Sequence, residues 1–95
     1  MQVKRIVQNI TSGAKNVVGK NMEKARIHSG YTQKQLSEKL EILGLCICRD
    51  SICRIERGTR QVTDFEALLI GHVLGIDMNQ MFQGALNKLL DTVRG

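Results

Sequence analysis

Thr32-Gln33-Lys34-Gln35-Leu36-Ser37-Glu38-Lys39-Leu40 and, after a short apolar connection, Arg49-Asp50-Ser51-Ile52-Cys53-Arg54-Ile55-Glu56-Arg57-Gly58 are two helix patterns in tandem. In the first, Leu36, Leu40 and Leu43 fall at i, i+4 and i+7, a stripe that faces a core, with Thr32 as the expected N-cap and Gly44 as the expected stop. In the second, a wheel of about 100° per residue puts Ile52 and Ile55 on the buried side. It turns Asp50, Cys53, Arg54 and Arg57 outward and leaves Arg49 on the flank near the helix start.

The remaining sequence extends the helical reading in both directions. Upstream, a helix from about Lys15 to His28 is expected to bury Val18, Met22 and Ala25 and to end at Ser29-Gly30. Residues 1–14 form a separate piece, an amphipathic helix or a loose arm, with Val3, Ile6, Val7 and Ile10 at helical spacing before the breaker Thr11-Ser12-Gly13. The connection Glu41 to Cys48 carries Ile42, Leu43, Leu45, Cys46 and Ile47, so it is expected to fold back onto the core after one more helical turn. Downstream, Thr63-x-x-Glu66 reads as a capping box for a fourth helix carrying Leu68, Leu69, Val73 and Leu74 to a stop at Gly75. Asp77, with Gln80 three residues on, caps a fifth helix with the apolar set Met81, Phe82, Leu86, Leu89, Leu90 and Val93. There is no proline, aromatic residues are few, and no run alternates at period two, so the fold class is all-α, with 15–95 as one domain.

Bulk properties narrow the function. The chain of 95 residues can bury about two-thirds of its unfolded surface, enough for a core and one surface site. Its net charge of +5 is concentrated early. Residues 1–30 hold Lys4, Arg5, Lys15, Lys20, Lys24 and Arg26 against Glu23 alone, which favours a polyanionic partner through counterion release. Cys46, Cys48 and Cys53 are odd in number and no signal peptide precedes them, so a reducing cytoplasm is expected. Three thiols with His28 and His72 far off do not make the four-ligand spacing of structural zinc, and neither a metal nor a cofactor is expected. No apolar run reaches the roughly 20 residues of a membrane span. No nucleophile motif, phosphate-binding glycine loop or carboxylate cluster suggests catalysis, so no catalytic residue is assigned.

The order of the pieces resembles the Cro/repressor-type helix-turn-helix domain, the XRE family. The matching residues are Gly19, Arg26, Gly30, Thr32-Gln33, Leu36, Leu40, Ile52, the run Arg54 to Gly58, Leu69, Leu74-Gly75 and Phe82. The resemblance implies five packed helices, a recognition helix near 49–57 in the DNA major groove, and the start of the preceding helix against a phosphate. Two departures stand out. The link between the second and third helices is about five residues longer than the tight turn of the phage proteins, and Cys48 occupies the N-cap usually held by Ser or Thr.

On this reading the base-reading residues are Arg49, Asp50, Cys53 and Arg54. A guanidinium can make two parallel bonds to guanine, and a carboxylate can accept from cytosine or instead hold Arg54 one turn on. Thr32, Gln33, Arg57, Thr59 and Arg60 are expected at DNA phosphates. Glu56 falls about 40° from Ile52 on the wheel, and Arg26 matches the family's partner position, so the two are expected to form a structural ion pair. The expected partners are double-stranded DNA carrying an inverted repeat and a second copy of the chain, with no small-molecule effector evident. A sequence-specific transcriptional regulator, a repressor occupying an operator through the recognition helix, is the leading function class. A protein-interaction module such as an antitoxin-like subunit is the alternative.

Overall fold

The computed structural model describes residues 15–94, with backbone alone for residues 89 and 92–94. The amphipathic piece expected over 1–14 therefore lies outside the described residues, as do the side chains of Leu89 and Val93. The described chain is all-helical, with α1 Gly19–His28, α2 Gln33–Ile42, α3 Arg49–Arg57, α4 Asp64–Leu74, a short α5 Met78–Met81 and α6 Ala85–Arg94.

Three of these helices begin at reciprocal caps. Thr32 Oγ1 accepts from the Gln35 amide at 3.0 Å while Gln35 Oε1 accepts from the Thr32 amide at 2.9 Å. Thr63 with Glu66 opens α4 in the same way, and Asp77 with Gln80 opens α5. Each box satisfies two amides that the first helical turn would otherwise leave without partners. Gly58 ends α3 and Gly75 ends α4 with φ of 80° and 72°, left-handed geometry that a β-carbon makes unfavourable.

The core joins Val18 and Met22, Leu36 and Leu40 of α2, Ile47, Ile52 and Ile55 of α3, Ala67, Ile70 and Leu74 of α4, and Met81 of α5. Each large aliphatic side chain removed from water there contributes about 1.5–3 kcal/mol. α1 packs against α3, α4 and α5, and α2 against α3 and α4. At the α1–α3 crossing a β-carbon on Gly19 would run into the carbonyl oxygen of Ile55. This close approach is open to glycine alone.

The structure corrects five expectations. α1 starts at Gly19 rather than Lys15, because Asn16 Oδ1 accepts from the amides of Val18 and Gly19 and holds the preceding residues out of the helix. Leu43 is not core: α2 ends at Ile42, Leu43 is its C-cap at 44% exposure, and Ile42 is 84% exposed. The connection does return to the core, but without another helical turn. Ile47 enters from outside any helix, pinned by the Ser37 hydroxyl donating to its carbonyl at 2.6 Å. On α4 the buried face centres on Ala67, Ile70 and Leu74; Leu69 and Val73 flank it, and Leu68 points to solvent at 54% exposure. Finally, the expected fifth helix is two. Gly84, at φ 83°, turns the chain between α5 and α6, leaving Phe82, Leu86 and Leu90 exposed.

Candidate nucleic-acid interface

α3 has one face locked and one face open. Ile52 and Ile55 are fully buried, and between them and α1 lies Glu56, 3% exposed. Arg26 Nε donates to Glu56 Oε2 at 2.6 Å and Arg26 Nη2 to Oε1 at 3.0 Å, while Arg26 Nη1 donates to the Tyr31 carbonyl at 2.8 Å. Gln33 Nε2 donates to the same Glu56 Oε1 at 2.9 Å. A carboxylate taken this far from water needs such partners, and the three residues tie α1, α2 and α3 together. The Glu56 hydrogen bond raises the Arg26 pKa further above its ordinary value, against the opposing effect of burial.

On the open face Arg49, Asp50, Arg54 and Arg57 are exposed and Cys53 is half-buried. None of these four charged residues is in an ion pair among the described residues; in particular Asp50 does not hold Arg54. Their charged heads thus remain available to a partner. Cys48 is the N-cap of α3 in extended geometry, and its side chain caps no amide. Its Sγ instead lies 3.3 Å from Ser51 Oγ. That hydrogen bond, helped by the Ser51 and Asp50 backbone, holds the exposed Cys48 thiol below the usual cysteine range. All three cysteines are free.

Four of the five residues expected at phosphates, Thr32, Gln33, Thr59 and Arg60, are engaged within the chain. Gln33 gives one amide hydrogen to Glu56, leaving the other for an outside acceptor. Arg60 Nη1 and Nη2 meet Glu66 Oε1 and Oε2 at 3.0 and 2.9 Å, and Nη1 also donates to the Gln61 carbonyl. At 31% side-chain exposure, Arg60 is a structural brace before it is a clamp. Its hydrogen bonds to Glu66 hold that carboxyl below the usual carboxylate range, and the reciprocal bonds raise the Arg60 pKa. Thr32 is spent as the α2 cap. The Thr59 amide and hydroxyl both donate to the Arg54 carbonyl, closing the end of α3.

Asn16 is the site residue that periodicity did not reveal. Its Nδ2 donates to the carbonyls of Ile55 at 3.0 Å and Arg60 at 2.8 Å, while its Oδ1 caps α1. The Lys15 amide also donates to the Gly58 carbonyl at 2.6 Å. Together these bonds place Lys15 beside Thr59 and Arg60 in a shallow concavity. An asparagine just ahead of an apolar helical pattern was the available cue.

No family model, characterised protein or solved structure matches the chain. The geometry is therefore the main guide to function. Among the described residues no helix is long and apolar enough to cross a membrane, and no cluster of His, Cys, Asp and Glu could hold a metal ion.

Proposed function

We propose that the chain is a sequence-specific reader of double-stranded DNA that regulates transcription by occupying an operator. The observation that carries this reading is the open face of α3, where Arg49, Asp50 and Arg54 are exposed without ion pairs among the described residues while the opposite face is fixed by Ile52, Ile55 and the Arg26–Glu56–Gln33 network. A helix held rigidly from behind can present guanidinium and carboxylate groups to base edges at fixed positions. The resemblance to Cro/repressor-type helix-turn-helix domains supplies the same role for this helix. In this reading Arg57 and the remaining donor of Gln33 meet the phosphate backbone, with Lys15 and Arg60 adding charge.

The apolar residues Leu86 and Leu90, exposed on α6, favour a second copy as partner. Two copies related by a twofold axis would read an inverted repeat with half-sites about 34 Å apart. A module that binds chiefly another protein is the competing reading, and the same exposed face supports it.

Selection from a random duplex pool tests the proposal. One enriched motif is expected, with affinity falling by about 0.9 log unit per log of salt for each phosphate neutralised. Arg54→Ala should cost about 1–3 kcal/mol on that motif and relax preference at one base position per half-site. Absence of enrichment, or an unchanged motif and affinity in Arg54→Ala, would move the protein-partner reading to the front.

A further inference from the structure

A cleft of about 470 Å³ opens between the first turn of α1, the C-terminal end of α3 and the stretch where α5 gives way to α6. Lys20 and Lys24 line it from α1, Arg57 from α3 and Lys88 from α6. Its one carboxylate residue, Glu56, is already bonded to Arg26 and Gln33. Lys20, Lys24 and Arg57 have no ion pair among the described residues. The cleft therefore gathers four cations around one concavity, and among the described residues Lys20, Lys24 and Arg57 meet no neutralising side chain there.

Backbone chemistry adds to this. Asn16 Oδ1 takes the amides of Val18 and Gly19, and the Met22 amide reaches the Val18 carbonyl. Among the described residues no acceptor meets the amides of Lys20 and Asn21, both of which line the cleft. Like charges placed together repel one another and raise the local potential, so the favoured occupant is an anion able to offset several of them at once. A single carboxylate or chloride would leave most of that repulsion in place. A diphosphate or triphosphate group carries the needed charge and many acceptor oxygens, and the volume lies in the range of small-ligand sites.

We propose that this cleft binds a small molecule bearing a polyphosphate group, held by Lys20, Lys24, Arg57 and Lys88 and by the first-turn amides of α1. The site shares Arg57 with the edge of the open face of α3, but Lys20, Lys24 and Lys88 lie on α1 and α6, and pyrophosphate binding does not depend on DNA reading. It adds an effector class for which the sequence alone held no sign.

Inorganic pyrophosphate is the probe, titrated by calorimetry and thermal melting into the full chain, with potassium chloride adjusted to constant ionic strength. Saturable binding of one pyrophosphate per chain and a rise in melting temperature are expected. The double variant Lys20→Gln/Lys24→Gln should weaken binding by about tenfold or more, and Arg57→Gln should weaken it as well. Lys34→Gln, on α2 and away from the cleft, should change nothing. Circular dichroism shows whether each variant is folded, and Arg57→Gln stands in if the double variant is not. An effect no greater than that of chloride, or equal loss in Lys34→Gln, would overturn the site. Orthophosphate binding as tightly as pyrophosphate would overturn the polyphosphate assignment. Displacement of pyrophosphate by duplex DNA, with matching loss of DNA affinity in Lys20→Gln/Lys24→Gln, would make the cleft a backbone contact and overturn the small-molecule proposal. If no duplex binds yet pyrophosphate does, DNA reading fails and the cleft stands.

Discussion

Replacing Arg26 with Met keeps most of the side-chain volume and removes the charge opposite Glu56. The substitution deletes both guanidinium bonds to Glu56, at 2.6 and 3.0 Å, and the bond to the Tyr31 carbonyl. Gln33 remains as a single neutral donor. Breaking a buried pair in this way costs about 3–5 kcal/mol, because the remaining carboxylate stays in a place with little water. Domains of this size have about 5–14 kcal/mol of stability in all, so Arg26→Met should lose a large share of it. Urea denaturation followed by circular dichroism measures the loss. The decisive comparison is Arg26→Met/Glu56→Gln, which removes the stranded charge together with its partner and should recover at least half of the single-variant loss. A single-variant cost below about 1 kcal/mol, or costs that simply add in the double variant, would refute the view that the pair holds α1 against α3.

Three further outcomes follow from the same geometry. Glu66 has its pKa lowered chiefly by Arg60, so its contribution is fully present above the unfolded glutamate pKa of about 4.3 and is lost as pH falls through the lower folded value; Arg60→Ala should therefore flatten the acid limb of a stability-against-pH curve. Cys48→Ser should stabilise the domain by about 0.5–1 kcal/mol, since the backbone is already in N-cap geometry and lacks only a good acceptor, and an equal or lower urea midpoint would show that the Ser51 contact is worth more than the cap. Gly19→Ala should lose about 1–3 kcal/mol in the same assay, because the new β-carbon meets the Ile55 backbone rather than a side chain that could move.

Local chemistry made much of this fold legible. Thr63, Glu66 and Asp77 announced helix starts because capping depends on neighbours a few residues apart, and Glu56 stood out because a carboxylate beside two isoleucines on a wheel needs a partner. Thr32-x-x-Gln35 carries the same box signal as Thr63-x-x-Glu66, and both halves of it form. What failed depended on phase or on distant contacts. In Ala67-Leu68-Leu69-Ile70 four successive apolar residues fit several wheel phases, and packing against the rest of the core chose Ala67 and Ile70. Leu43 lost its place to Ile47 because a glycine turn and the Ser37 hydroxyl decide which apolar residue returns. Within the candidate interface the outward residues of α3 could be named from the wheel. The engagement of Arg60 by Glu66, the four bonds of Asn16 and the cationic cleft all join segments that periodicity treats separately.

The anchor at Ile47 also makes the preceding turn a place where chain length is free to change. With Leu40 buried on one side and Ile47 buried and bonded to Ser37 on the other, the ends of the Leu43–Cys46 stretch are fixed independently of its contents. Residues added there enlarge an already closed surface loop, and each doubling of its length costs only about 0.6 kcal/mol. An epitope or a spacer grafted beside the exposed Cys46 would thus leave α3 at its original angle, whereas the same graft two or three residues later would pull Ile47 from the core and swing the helix with it.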